Sequence, residues 1–421
     1  MGLPVFICAS IGYKWFKIQG NCAIRFGANT DKMFNSKRTY LDCNATHPLL
    51  PEARDAMVQA YDIVGNPSSV HGEGRKARAV IDAARRDVAA LVNAKPEHVI
   101  FTSGATEAAS YVLTPHWQMG RAALTFSHLY VSSSEHPCML AGGRFPVESI
   151  TLLPVTSSGE LALDHLVALL AAHDKAQGLP LVAVQMANNE TGVVQPIQPI
   201  AAIVAAHGGV LVVDAVQSVG RISVDITKAC GDYLIVSSHK IGGPKGVGAL
   251  ICVSDLMMPK ALIRGGGQEK SHRAGTEALP AIAGFGAAAK AAKLRVARAG
   301  EMLEKRQRIE SLILECDSDA VIYGVNASER LVNTVFFALS GLKAETAQIA
   351  FDLSGVALSA GSACSSGRVG PSHVLKAMGF GNNDGALRVS VCLETTDEDI
   401  DAFGKALREI AARRAGAAKA A

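Results

Sequence analysis

The stretch that decides the fold is Asp232-Tyr-Leu-Ile-Val-Ser-Ser-His-Lys240, which leads into the glycine-rich turn Ile241-Gly-Gly-Pro-Lys-Gly-Val-Gly248. Its apolar centre predicts a buried strand that delivers polar side chains onto a tight turn. Other apolar runs also end in polar residues: Val99 to Glu107, Leu129 to His136, Leu181 to Glu190 and Val210 to Gln217. Such runs, alternating with helical patterns, predict an α/β fold with a mostly parallel sheet. Ligands bind beyond the carboxyl ends of such strands, so these five ends are expected to share one site.

The bulk composition is that of a globular protein with more than one domain. The chain has 421 residues, of which 49% are hydrophobic and 19% charged. A net charge of +3, from 41 basic and 38 acidic residues mixed along the chain, gives no field that would recruit nucleic acid or a membrane surface. The 9 cysteines show no C-x-x-C spacing, which favours a reducing compartment and no metal site. With no apolar stretch long enough for a membrane span, we expect a cytoplasmic protein.

The pattern along the chain predicts four segments. Residues 1–38 are expected to be a disordered extension or a misassigned start; a genuine transit segment would instead place the protein in an organellar matrix. Residues 39–60 are expected to pack with the small domain. Residues 61–298 are predicted to form the large domain, and residues 299–421 a smaller α+β domain with a frayed end. The smaller domain carries a loop of small residues, predicted to be mobile, around Cys364.

The polar strand ends match the needs of a pyridoxal phosphate site. Lys240 supplies an amine for a Schiff base, and Asp214 an anion for the pyridine nitrogen. Ser103-Gly-Ala105-Thr106 offers backbone amides and a hydroxyl for the phosphate at a helix start, and His136 offers a planar ring. Each of these residues alone is equally well explained as a surface lysine, a helix cap or a buried histidine. Their occurrence together favours the cofactor site.

These residues stand within runs that resemble a known family. From Tyr40 to about Ala406 the chain is similar to the cysteine desulfurases of the class-V aminotransferase group, which supply sulfur for iron-sulfur clusters. The matching runs are Gly65-Asn-Pro-Ser-Ser-Val-His, Phe101-Thr-Ser-Gly-Ala-Thr-Glu, Asn188-Asn-Glu-Thr-Gly, Asp214-Ala-Val-Gln-Ser, Ser238-His-Lys-Ile-Gly-Gly-Pro-Lys-Gly, Gly265-Gly-Gly-Gln-Glu, Arg273-Ala-Gly-Thr and Gly361-Ser-Ala-Cys-Ser.

The resemblance implies a fold-type I homodimer with the cofactor at the subunit boundary. Lys240 would bind the cofactor covalently, Asp214 would hold the pyridinium, and Gln217 the phenolic oxygen. The phosphate would be bound by Ala105, Thr106, Ser237 and His239, with Thr276 reaching it from the other subunit. Asn189 would contact the cofactor and, together with Arg388, would bind the substrate carboxylate.

Cys364 is the residue that selects the reaction. It lies in Ser359-Ala-Gly-Ser-Ala-Cys-Ser-Ser-Gly, a run with little to anchor it. A sulfur-accepting thiolate must meet first the substrate and then a partner, which suits such a loop. We therefore expect conversion of L-cysteine to L-alanine, with a persulfide on Cys364, proton transfer by Lys240 and His136, and delivery to a sulfur acceptor or iron-sulfur scaffold protein. Cys364 would at most contact a nascent cluster.

The chain departs from the family pattern in three places. Asp-Asn-Ala-Ala-Thr reads Asp42-Cys-Asn-Ala-Thr46, Ser-Asn-Asn reads Ala108-Ala-Ser110, and Ser-Leu-Gly-Arg reads Ser390-Val-Cys-Leu393, close to Arg388. Alternative readings are a class-V aminotransferase or a selenocysteine lyase on the same scaffold, or a non-catalytic scaffold that binds an assembly protein. A transaminase has no use for Cys364.

Overall fold

The computed structural model describes residues 38–361, 372–381 and 385–420, together with two short strands, Phe16–Ile18 (β1) and Asn21–Ala23 (β2), which pair antiparallel. The rest of the segment expected to be an extension lies outside the described residues. The other strands are β3 (Thr39–Tyr40), β4 (Val99–Thr102), β5 (His116–Met119), β6 (Ala122–Ser132), β7 (Ile150–Leu153), β8 (Leu179–Gln185), β9 (Val210–Asp214), β10 (Tyr233–Ser237), β11 (Gly248–Cys252), β12 (Met257–Pro259), β13 (Val321–Ile322), β14 (Thr334–Ala338), β15 (Val356–Ala357), β16 (Ser359–Ala360) and β17 (Leu387–Ser390).

The helices alternate with these strands along much of the chain. They are α1 (Pro51–Tyr61), α2 (Gly72–Leu91), α3 (Ala105–Val112), α4 (Pro137–Leu140), α5 (Leu163–Ala171), α6 (Ile197–Ala206), α7 (Leu279–Arg295), α8 (Ala299–Cys316), α9 (Ala344–Leu353), α10 (His373–Ala377) and α11 (Asp397–Ala420). Single 3-10 turns occur at Pro96–His98, Val147–Ser149, Ser238–Lys240, Gln268–Ser271 and Val296–Arg298. The helix α11 runs through the tail that was expected to fray, since alanine, lysine and arginine all favour helix.

The main sheet confirms the predicted α/β fold. Within the described residues it has 9 strands in the order β12-β5-β6-β8-β9-β10-β11-β4, with β7 beside β6. The strands β6, β7, β8, β9 and β10 are parallel. The unpredicted strand β11 runs antiparallel to both β10 and β4, so β4 points the same way as the parallel strands. The five polar strand ends therefore meet at one edge of the sheet.

Two hydrophobic cores cover the two faces of this sheet, and in the larger one α7 packs against α1 and α2. The approach is close: a Cβ on Gly284 of α7 would lie 2.6 Å from Met57 Cγ of α1. Leu50, Ala53 and Ala60 accordingly belong to the larger core. The expectation that the whole of 39–60 packs with the small domain was wrong for α1.

The smaller unit is built on an antiparallel sheet in the order β13-β14-β17-β16. Its core includes side chains from α8, α9 and α11. The beginning of the described chain joins this unit, because β3 pairs parallel with β15 and Leu41 is buried in the same core. Among the described helices, none is both long and apolar enough to cross a bilayer.

Candidate active site

A cavity of about 650 Å³ opens where the five strand ends converge. Its volume is within the usual range of cofactor and substrate sites. Of the residues predicted from sequence, the following line it: Ala105, Thr106, His136, Asn189, Asp214, Gln217, Ser237, His239 and Lys240. The structure thus brings together residues that are up to 135 positions apart, from Ala105 to Lys240, at one site.

Lys240 ends the 3-10 turn that follows β10. Its Nζ donates to the carbonyl oxygens of Asn44, at 2.6 Å, and Ala45, at 3.1 Å. The amine is therefore held at the cavity wall by the segment that precedes α1. The turn itself requires glycine at position 243, because a Cβ there would lie 2.1 Å from Ser238 Oγ.

Asp214, the last residue of β9, is a buried carboxylate. Burial raises its pKa to about 6, although the charge of Lys240 and a hydrogen bond from Val216 N–H to Oδ1, 2.9 Å long, act in the opposite direction. Burial disfavours the charged form of an acid. A cation placed against this carboxylate would restore its charge.

Glu135 is a site residue that the sequence reasoning missed. It is fully buried, and its Oε2 accepts a hydrogen bond of 2.8 Å from His136 N–H. Its Oε1 has no hydrogen-bond partner among the described residues. Burial, and then the charge of Asp214, raise the pKa of Glu135 well above its usual value. Its position beside His136 at a strand end was the available signal, but glutamates are rarely buried.

His136 caps the short helix α4. Its Nδ1 lies 3.2 Å from Cys138 N and 3.1 Å from Cys138 Sγ. Because a backbone N–H can only donate, Nδ1 accepts and the neutral ring carries its proton on Nε2. Burial, and then the charges of Lys240 and His373, lower the pKa of His136 to about 4. The ring is therefore neutral at physiological pH. Cys138, which also lines the cavity, was not predicted.

The start of α3 forms the wall where an anion would bind. The first amides of a helix lack partners within the helix and carry partial positive charge. Glu107 closes this turn by accepting from Ser103 N–H at 2.8 Å, and Arg273 Nε donates to it at 3.0 Å. His239 also lines the cavity, and its Nδ1 lies 2.7 Å from Thr46 Oγ1. Burial, and then the charges of Lys240 and Lys245, lower the pKa of this histidine to about 4.

The remaining predicted residues lie elsewhere. Arg388 is buried behind Asn189, whose carbonyl oxygen accepts from its Nη1 at 3.0 Å. Its Nε has no partner among the described residues. Thr276 lines a neighbouring cavity of about 130 Å³ that shares Ser103 with the first. Cys364 lies outside the described residues.

Comparison of the chain with known proteins identifies its family. The class-V aminotransferase family matches residues 39–403. A cysteine desulfurase of Nostoc sp. is 36% identical over 389 residues, covering 89% of this chain and 93% of the relative. The cysteine desulfurase IscS 1 of Archaeoglobus fulgidus is 37% identical, covering 86% and 94%. The structure of a NifS-like protein from Rickettsia africae superimposes with a TM-score of 0.78 at 30% identity, covering 89% and 99%.

These matches span most of the chain, so it belongs to the class-V aminotransferase family. Within that family its relatives carry the name cysteine desulfurase. The resemblance read from the sequence motifs is therefore confirmed.

Proposed function

We propose that this protein is a pyridoxal phosphate-dependent cysteine desulfurase that converts L-cysteine to L-alanine and receives the sulfur on Cys364. The observation that carries the proposal is the pairing of Lys240 with Asp214 in one cavity at the strand ends. An amine for covalent attachment and a buried anion for a cationic ring nitrogen are what this cofactor requires.

The side chains of the cavity fit the cofactor. Buried Gln217 donates from Nε2 to Asn44 O at 3.1 Å, while its Oε1 has no partner among the described residues. Such a polar atom calls for a ligand in the cavity. We assign the pyridinium to Asp214, the phenolic oxygen to Gln217, and covalent attachment to Lys240. The phosphate is assigned to the remaining donors, namely Ala105, Thr106, Ser237, His239 and the partner subunit's Thr276.

Pyridoxal phosphate, when bound, supplies an electron-withdrawing ring that stabilises negative charge at the substrate α-carbon. With the cofactor bound, Lys240 Nζ would be the group that takes the α-proton of the substrate. Its backbone acceptors at Asn44 and Ala45 keep the amine at the cavity wall. Lys240 thus acts both as an anchor and as a general base.

The substrate carboxylate is assigned to Asn189 and Arg388. Arg388 is buried next to the cavity wall, where its Nη1 donates to the carbonyl oxygen of the cavity-lining residue Asn189 at 3.0 Å. His136 offers a proton from Nε2 because Cys138 occupies Nδ1. We assign it the transfer of a proton between the substrate thiol and the Cys364 thiol.

The sulfur-transfer step is assigned to Cys364 as thiolate. A bond forms between its sulfur and the substrate sulfur as the substrate carbon–sulfur bond breaks. The electron pair of the broken bond goes to the β-carbon, which takes up the proton that the substrate thiol gives up. Lys240 returns its proton to the α-carbon, so that L-alanine is formed and Cys364 is left as a persulfide. A sulfur acceptor or iron-sulfur scaffold protein then takes the terminal sulfur.

The organisation of the protein is part of the proposal. We propose a homodimer with a large domain at 61–298, to which α1 is added by its packing, and a small domain at 299–421. The free thiols of the described residues, such as Cys43 and Cys138, support a reducing compartment, the cytoplasm.

The test is to incubate the purified, cofactor-loaded protein with L-cysteine and locate the persulfide by mass spectrometry. We expect it on Cys364, with alanine formed, and loss of both in Cys364→Ser. Cys316→Ser, which removes a thiol that does not line the cavity, is the matched control and keeps both. A persulfide on another residue, or transamination that survives in Cys364→Ser, would overturn the proposal in favour of a different enzyme on this scaffold.

A further inference from the structure

A carboxylate lies on the part of the cavity wall where the cofactor phosphate is proposed to bind. Glu107 belongs to the first turn of α3 and lines the cavity together with Ala105 and Thr106, to which the phosphate is assigned. Its side chain is 11% exposed. A phosphate monoester carries about two negative charges at neutral pH. An ionised carboxylate beside it would repel it, so the charge of Glu107 has to be compensated.

Glu107 is ionised and held at both of its oxygens. Its Oε2 accepts from Ser103 N–H at 2.8 Å, and its Oε1 accepts from Arg273 Nε at 3.0 Å. Arg273 Nη2 also donates to Oε2, at 3.4 Å. Burial acts to raise the pKa of Glu107, but the hydrogen bonds from Arg273 and then Ser103 hold it below its usual value. The carboxylate therefore keeps its charge at neutral pH and orients the turn at the start of α3.

Arg273 reaches this carboxylate from a distant part of the chain. It is 166 positions from Glu107 and lines the neighbouring cavity of about 130 Å³, together with Ser103 and Thr276. Its side chain is 25% exposed, and partial shielding from solvent strengthens the attraction between the two charges. The counter-charge of Glu107 is thus supplied from the neighbouring cavity.

The segment that carries Arg273, residues 265–276, is anchored to the sheet by a second ion pair. Arg85 donates from Nη1 and Nη2 to the two carboxylate oxygens of Glu269, at 2.7 Å each, and Phe101 N–H donates to Oε2 at 2.9 Å. Glu269 and the two residues after it have φ angles of 46°, 54° and 67°. Such conformations are unfavourable for residues other than glycine and persist only where the surrounding structure holds them. This anchor therefore fixes the position of Arg273 in the absence of a cofactor.

We propose that Arg273 is a positioning residue for the cofactor phosphate and acts as the counter-charge of Glu107. Glu107 holds the Ser103 amide, and with it the turn that presents Ala105 and Thr106. Arg273 cancels the repulsion that this carboxylate would exert on the phosphate. Arg273 has this role only if the proposed function is right, since the phosphate belongs to the cofactor named there. It acts through Glu107 and needs no contact with the phosphate itself.

An ion pair that served only to stabilise the fold would behave differently. It would fix the shape of the cavity and so affect every ligand of the cavity alike, with or without a phosphate. A counter-charge affects only those ligands that carry negative charge near Glu107. Pyridoxal has the same ring and aldehyde as the cofactor but lacks the phosphate, so it distinguishes the two roles.

The test measures the affinity of the full-length protein, freed of cofactor, for pyridoxal phosphate and for pyridoxal. The visible absorption band of the covalently bound form reports binding. Arg273→Gln should weaken the binding of pyridoxal phosphate by at least about 10-fold, the loss expected for a hydrogen bond to a charged group. Its affinity for pyridoxal should stay close to that of the unaltered protein.

Removing both charges should reverse the loss. The double variant Glu107→Gln, Arg273→Gln should bind pyridoxal phosphate nearly as tightly as the unaltered protein, because glutamine still accepts from Ser103 N–H and carries no charge. This rescue separates repulsion from misfolding as the cause of the loss. Arg414→Gln, which breaks a partly buried ion pair with Asp317 in the smaller unit, is the matched control and should bind both ligands as the unaltered protein does.

Three results would overturn the role of Arg273 and leave the proposed function intact. They are an unchanged affinity of Arg273→Gln for pyridoxal phosphate, equal losses for the two ligands, and a double variant that binds pyridoxal phosphate as weakly as Arg273→Gln. Absence of the band in the unaltered protein supplied with pyridoxal phosphate would instead overturn the proposed function, and this role with it.

Discussion

Arg388 and Asp42 form a buried ion pair, with 2.7 Å between Nη2 and Oδ1. Their side chains are 5% and 17% exposed. Ser359 Oγ accepts from the same guanidinium nitrogen at 3.1 Å. These two contacts fix the orientation of the proposed carboxylate-binding arginine in the absence of substrate. Asp42 thus positions Arg388.

Asp42→Ala should strongly destabilise the protein, because it leaves the Arg388 charge buried without its partner. Removing one member of a buried pair costs about 3–5 kcal/mol. Urea unfolding measures the change. The control is Asp55→Ala, since Asp55 and Arg54 form an exposed pair, at 60% and 67%, that should contribute less than about 1 kcal/mol. Equal effects of the two substitutions would contradict the role assigned to Asp42.

Lys240→Ala should abolish the visible absorption band of the covalently bound cofactor, because it removes the amine to which the cofactor attaches. Desulfurase activity should fall on the order of 10³-fold or more, as for loss of a general base. Lys245→Ala removes another lysine that lines the same cavity and should keep the band. A band that persists in Lys240→Ala would show that attachment occurs elsewhere.

Asp214→Asn should stabilise the cofactor-free protein at neutral pH and lower its activity when the cofactor is supplied. The folded-state pKa of Asp214, about 6, exceeds its usual value of 3.8, so the folded state holds the proton more tightly. Its charge therefore destabilises the cofactor-free fold progressively as the pH rises from about 4 to 6, and fully above that. The melting temperature of cofactor-free Asp214→Asn, relative to wild type, should rise across this window. Activity should fall on the order of 10²-fold. A difference in melting temperature that does not vary with pH would contradict the assignment.

His136→Gln should reduce the loss of unfolding free energy that the cofactor-free protein undergoes as the pH falls. The pKa of His136 is lowered from 6.5 to about 4, so the unfolded state binds the extra proton between these values. Stability is then lost as the pH falls through this window, by up to about 1.4 kcal/mol per pH unit for one proton. Urea midpoints between pH 4 and 7 measure the slope. His116→Gln, at an exposed strand position, should leave the slope unchanged.

The parts of the site that could be predicted are those where each residue ends its own apolar run. Lys240, Asp214 and His136 follow parallel strands, and the geometry of a parallel sheet then places them at one edge. Glu135 and Cys138 were missed because their roles depend on burial and on contact with His136. No local pattern encodes these contacts.

Long-range packing was the other limit. The strand β11 follows a glycine-rich turn, and nothing in its five residues indicates that it would insert antiparallel between β10 and β4. An amphipathic helix shows which face it buries but not against which core. The position of α1 is decided by the close approach of Met57 to Gly284, which only the folded chain reveals.

The hydrogen bond from Asn44 N–H to Ser390 Oγ, 2.9 Å long and 346 residues apart in sequence, has a consequence for synthesis on the ribosome. The segment that holds the Lys240 amine cannot take its final position until residue 390 has left the exit tunnel. A nascent chain arrested before that point can form the sheet, since domains fold as units. The segment at Asn44 that forms one wall of the cavity would not yet be in its final position. Cofactor capture should therefore follow the emergence of residue 390.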